Sequence, residues 1–214
     1  VAQLAERICR EWMHKDEGIW EVRGGKRHFT YSKLMCWVGL DRAIRMGQDH
    51  HHEGDFERWR RTADDIRRFI EEQCVHPDGR YLLQAPDTDA CDASTLLVPI
   101  RSFLPPEDGR VHATVDQTLA QLTEDSLVYL YMTEDGLDGH EGTFNICTFW
   151  LAEALGMCGR REEASKIFNR MLEQANHLGL YAEEVEPSTG MALGNFPQAF
   201  SHVGLINAAL TLSE

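Results

Sequence analysis

The feature that most constrains this chain is how its charge is shared out among helical segments. Apolar residues recur at i, i+3, i+4 and i+7 through eight stretches, roughly 1–15, 30–47, 55–75, 93–104, 111–122, 143–158, 160–177 and 197–213. Segment 55–75 is crowded with charge (Glu57, Arg58, Arg60, Arg61, Asp64, Asp65, Arg67, Arg68), as is segment 160–177 (Arg160, Arg161, Glu162, Glu163, Lys166, Arg170, Glu173). Segment 143–158 carries only Glu153, segment 93–104 only Arg101, and segment 197–213 none. A helix with one polar stripe faces water along it, whereas a helix apolar all round is covered on every side. Alternation of the two kinds predicts an all-α protein with an outer and an inner ring of helices. A solenoid of helix hairpins would alternate too, but it needs a fixed repeat of about 34 residues, and no such self-similarity is present.

The connecting loops have clear stop chemistry: DEG at 16–18, GG at 24–25, HPDG at 76–79, PPEDG at 105–109, EDGLDGHEG at 134–142 and EPSTG at 186–190. Two short pieces, Tyr81–Leu83 and Leu127–Tyr131, have the composition of loop strands. There is no βαβ alternation, no glycine-rich phosphate loop and no compositional break that would mark a linker, so residues 1–214 read as one domain. The formal charge of -14 disfavours phosphate backbones and anionic lipid heads, and points to a neutral or cationic ligand. No uncharged apolar run reaches the length of a membrane span. The six scattered cysteines form no CxxC and read as the reduced thiols of a cytoplasmic protein. The chain begins at Val1 inside a helical pattern, which leaves room for an upstream signal peptide.

Two loops carry chemistry. Between the first two helices, Asp16 to Lys33 sets an acid, Glu21, beside an indole, Trp20, with Arg23, Lys26, Arg27 and His28 nearby. An aromatic face stacks on the apolar side of a sugar ring while acids accept its hydroxyl protons. The same indole can desolvate a carboxyl and raise its pKa, as a general acid requires. The plainer alternative is a capping loop with surface charges. Between the last two helices, Leu180 to His202 groups Glu183, Glu184 and Glu186 ahead of Gly, Asn and Pro turn residues, and the plainer alternative there is a solvated acidic turn. Two carboxylates far apart in sequence, brought to one mouth by a ring of helices, are the minimum equipment for glycoside hydrolysis. His50–His52 reads as a polar loop, since consecutive side chains diverge and no second ligand cluster accompanies it. His202 reads as a core histidine, and Asp92 as a helix cap. No metal-ligand spacing is present.

Several blocks go further. GIWEVRGGKRHFTYSKLMCWVGLDRA at 18–43, CDASTLLVPI at 91–100, EGTFNICTFWLAEAL at 141–155 and LGLYAEEVEPSTGMALGNFPQAFSHVGLINAA at 178–209 resemble the bacterial branch of glycoside hydrolase family 15, which includes glucoamylases, glucodextranases and some trehalases. The resemblance implies an (α/α)6 barrel, of which this chain would be the C-terminal part of the catalytic domain, about the last eight of twelve helices. It also implies inverting hydrolysis of α-glucosidic bonds. The general acid then falls on Glu21 and the general base on Glu183, with Glu184 as the competitor. Substrate contacts fall on Ile19, Trp20, Arg23, Glu141 and Trp150. For single displacement the two carboxyls stand roughly 6.5–9.5 Å apart, leaving space for the attacking water.

On this reading a glucoamylase acting on α-glucan oligosaccharides comes first and a trehalase acting on trehalose second. An inactive carbohydrate-binding or helical interaction protein is the alternative of another class. No nucleic acid and no membrane are expected as partners. No cofactor is needed for inversion and none is signalled, although some family members bind Ca²⁺ and some trehalases depend on phosphate or Mg²⁺. Further sugar-binding residues of the family lie outside the matched blocks, so the 214-residue piece alone is expected to be weakly active or inactive.

Overall fold

Aspartates open two of the helices, because a short carboxylate can accept from the free N–H groups of a first turn. Asp55 accepts from Arg58 N to start α3, and Asp108 accepts from Arg110 N to start α5. The computed structural model describes residues 1–22, 24–50, 53–78, 80–132 and 142–213. Its helices are α1 (Ala2–Glu11), α2 (Thr30–Asp49), α3 (Phe56–Gln73), a 3-10 turn (Ala93–Leu96) leading into α4 (Leu97–Ile100), α5 (Gly109–Gln121), α6 (Asn145–Met157), α7 (Arg161–Leu172) and α8 (Ala199–Ser213). They fall into two compact units, Val1–Asp89 and Ala90–Glu214.

In the first unit α1, α2 and α3 pack on one another. The long charged helix α3 buries Trp59, Ile66 and Ile70 on one stripe, facing Leu34, Trp37 and Leu40 of α2. Its charges lie along the rim: Arg67 stacks over the Trp37 ring at 5.0 Å. Glu6 of α1 accepts from Arg58 Nη1 and from Trp59 Nε1, both at 2.7 Å.

In the second unit α6 is the centre, with α7 and α8 as its main neighbours. Every residue from Cys147 to Leu155 is buried, the single acid Glu153 among them, as a nearly uncharged helix requires. Wholly uncharged, α8 behaves differently. It seats only Ser201, Gly204 and Ala208, and a Cβ on Gly204 would lie 3.0 Å from Phe149 Cβ of α6. Its Phe200 is 65% exposed, and Val203, Ile206 and Leu210 are exposed with it. Apolarity reports which faces a helix can cover, and tertiary packing decides which faces are covered.

Segment 93–104 is also shorter as a helix than its periodicity predicts. It ends at Ile100, and Ser102 turns left-handed at φ 61. Short strands gather at the loop ends. β1 (Thr123–Glu124) pairs with β2 (Leu127–Val128), while β3 (Thr143–Phe144), β4 (Glu184–Val185) and β5 (Ala192–Leu193) form an antiparallel sheet in that order. The pairs Phe144 with Glu184 and Glu184 with Leu193 tie the loop before α8 to the start of α6. The other expected strand is reduced to a single bridge between Leu82 and Val75. No described helix is long and apolar enough to cross a membrane.

Candidate active site

In the first unit, the loop between α1 and α2 is pinched at its base. Asp16 and Arg27 exchange backbone hydrogen bonds of 3.0 and 2.9 Å. The Asp16 carboxylate accepts from Gly18 N and from Ser32 Oγ, both at 2.7 Å, joining the stem of the loop to the first turn of α2. Beside it lies Lys33, only 1% exposed, whose Nζ donates to the Trp12 and His14 carbonyls at 2.6 and 2.7 Å. Burial pulls the Lys33 ammonium below the usual lysine range, and the Asp16 carboxylate partly offsets it. An ion pair at 3.4 Å between Lys26 and Glu17, and a Val22 N bond to Glu17 O of 3.0 Å, close the loop on itself.

At its tip stands Glu21, exposed and in the left-handed region at φ 52. A side chain held there costs on the order of 1–3 kcal/mol and persists only where the surroundings over-determine it. Ile19 and Trp20 are half-buried on the preceding turn. Arg23 lies outside the described residues.

In the second unit, Tyr181 and Ala182 are buried beneath the loop before α8. The Tyr181 ring meets Phe149 and His202 edge-on, with centroids 5.6 Å apart in both cases. Asn145, the first residue of α6, donates from its backbone to Glu183 O at 3.0 Å and from Nδ2 to Ala182 O at 2.8 Å. The Glu183 carboxylate accepts three bonds: on Oε2 from Asn195 N (2.9 Å) and Asn195 Nδ2 (2.8 Å), and on Oε1 from Gln198 Nε2 (3.3 Å).

The neighbouring acids have other partners. Glu184 Oε2 accepts from Gly142 N at 3.2 Å, and Glu186 Oε1 accepts from Ser188 N and Oγ at 3.3 and 3.1 Å. The three acids grouped in sequence therefore rest on three separate sets of donors. His202 is satisfied on both ring nitrogens, Nδ1 at 2.7 Å from Gln198 O and Nε2 accepting from Tyr181 N at 3.4 Å. Asp92 accepts from Ser94 N at 2.7 Å, a cap as its sequence suggests. Trp150 lies within α6 at 7% exposure. Glu141, His51 and His52 lie outside the described residues.

Sequence reasoning missed Asn195 and Gln198. Gly194, Asn195 and Pro197 read only as turn formers, and nothing local says that their loop folds back on Glu183.

The chain is similar in fold to a glycosidase variant solved in complex with glucose, with a TM-score of 0.82 at 18% identity over 96% of this chain and 57% of that one. It is also similar to the glucoamylase of Saccharomycopsis fibuligera, with a TM-score of 0.78 at 12% identity over 98% and 60%. The fold class is accordingly all-α, that of the (α/α)6 glucoamylases. The chain belongs to the glycosyl hydrolases family 15, whose sequence profile matches residues 1–210. Among its relatives is the trehalase of Mycobacterium tuberculosis, 47% identical over 213 residues, covering 98% of this chain and 31% of the relative. The chain spans about a third of the length of the curated relatives it matches.

Proposed function

We propose that the complete protein hydrolyses the α,α-1,1 bond of trehalose by single displacement. Glu21 gives its proton to the bridging oxygen as the C1–O bond breaks. Glu183 takes a proton from the water that attacks the anomeric carbon from the opposite face. Inversion at that carbon yields one β-glucose and one α-glucose per turnover. The observation that carries the substrate is the 47% identity to a trehalase over nearly the whole chain, which reverses the order expected from sequence, where a glucoamylase came first.

The choice of Glu183 over Glu184 is supported by its three donors: an ionised carboxylate only accepts, and theirs is a cradle for that form. Glu184 Oε2 accepts from Gly142 N at the edge of β3. Ile19 and Trp20, next to Glu21, offer a backbone contact and an aromatic face to a glucose ring. Arg23, Glu141 and Trp150 remain further proposed sugar contacts.

The test is glucose release from trehalose and from maltotriose by the complete protein, with the first-formed anomer followed by NMR. Release from trehalose with α- and β-glucose formed in equal initial amounts is expected. Glu21→Gln and Glu183→Gln each lower kcat by about 10²–10⁴-fold, the range of a lost proton-transfer group, while Glu184→Gln retains turnover. Cleavage of maltotriose alone would return the reading to a glucoamylase. Sugar binding without release from either substrate would make the protein a binding module.

A further inference from the structure

We propose that Asn195 and Gln198 are positioning residues for the Glu183 carboxylate, and that they divide its two oxygens between holding and reacting. This rests on Glu183 as the general base. Asn195 grips Glu183 at three points: its carbonyl accepts from Glu183 N at 2.9 Å, and its N and Nδ2 both donate to Oε2. With both donors on one oxygen, Oε2 is the anchored atom. Oε1 takes only the longer 3.3 Å bond from Gln198 and keeps acceptor capacity for the proton of an attacking water.

The amide of Gln198 is itself oriented. Its Oε1 accepts from Phe200 N at 3.3 Å, which turns Nε2 toward Glu183. Its backbone is held from both sides, Gln198 N donating to Tyr181 O at 2.9 Å and Gln198 O facing His202 Nδ1 at 2.7 Å. Gly194 makes the grip possible. It sits at φ +70, and a Cβ there would lie 2.7 Å from Glu183 Oε2. Only a residue without a side chain lets the chain after β5 approach the carboxylate this closely.

The experiment is steady-state kinetics on trehalose with the complete protein carrying Asn195→Ala, Asn195→Asp, Gln198→Ala or Gly194→Ala, each compared with Glu183→Gln and each checked for a native melting transition. Misplacing a catalytic group by about 1 Å costs about 10²-fold in rate, so Asn195→Ala and Gly194→Ala are expected to lower kcat by that order with KM unchanged. Asn195→Asp, which puts an acceptor where Oε2 needs a donor, is expected to lose at least as much. Gln198→Ala leaves the backbone bonds of the loop in place and loses about tenfold, the equivalent of one hydrogen bond to a charged group. It carries the test if the Asn195 and Gly194 variants fail to fold. Full kcat in Asn195→Ala or Gln198→Ala, with Glu183→Gln inactive, overturns the positioning role and leaves the base in place. A rise in KM at constant kcat overturns it too, by showing a substrate contact instead. Full activity in Glu183→Gln removes the base itself.

Discussion

Glu21 stands at the loop tip with φ 52, so its backbone can be probed separately from its carboxyl. Glu21→Ala and Glu21→Gly both delete the acid, but only alanine keeps the Cβ that the left-handed region penalises. That penalty is about 1–2 kcal/mol for an L-residue. Glycine gives back about 0.4–1 kcal/mol through the greater entropy of its unfolded chain. The side chain of Glu21 is exposed, so its removal contributes little to either variant. The difference leaves Glu21→Gly more stable than Glu21→Ala by about 0.5–1 kcal/mol. The assay is urea unfolding of the two variants in the complete protein, followed by tryptophan fluorescence, with the midpoint difference converted through a shared m-value. Both variants should lose the turnover expected of a missing acid. If Glu21→Ala proves as stable as Glu21→Gly, the loop tip is not left-handed in solution and the strain argument fails. The expected order means that the residue best for stability at position 21 is one that cannot transfer a proton, a trade between stability and activity set by backbone geometry.

Lys33→Met keeps the length of a side chain that is 1% exposed, but it removes the donor to the Trp12 and His14 carbonyls. A destabilisation of about 1–3 kcal/mol is expected, the cost of leaving polar groups unsatisfied, and no loss by urea unfolding would show that the ammonium does not anchor the loop between α1 and α2. At the start of α5, the Arg110 guanidinium holds the Asp108 carboxyl below the ordinary carboxylate value. A depressed folded pKa stabilises fully above the unfolded value and is lost as pH falls through the folded one. The stability gap between the native protein and Asp108→Asn, which keeps a capping oxygen, should therefore hold at neutral pH and narrow as pH drops below 3.8. Thermal melts across that range check it, and a gap that widens in acid contradicts the pairing.

Periodicity, caps and turn residues are local, and they place helices well. All eight segments expected from the pattern contain a helix, and α6, whose one charged residue is Glu153, is enclosed as its composition requires. The acids that define the candidate site were legible for the same reason: Trp20–Glu21 and Tyr181–Ala182–Glu183 are contiguous in the chain. Pairings between distant segments leave no such trace. Two-residue strands are too short to show alternation, so the β3–β4–β5 sheet was invisible in the sequence. The exposed face of α8 was hidden as well, because an apolar surface looks the same whether or not it has a neighbour. The left-handed turn at Glu21 and the grip of Asn195 on Glu183 belong with these. The second is imposed by a residue twelve positions along the chain, beyond the reach of local pattern. Sequence determined which groups were available to react; only tertiary structure decided how they are held, because the forces that aim a carboxylate come from partners its neighbours in sequence do not name.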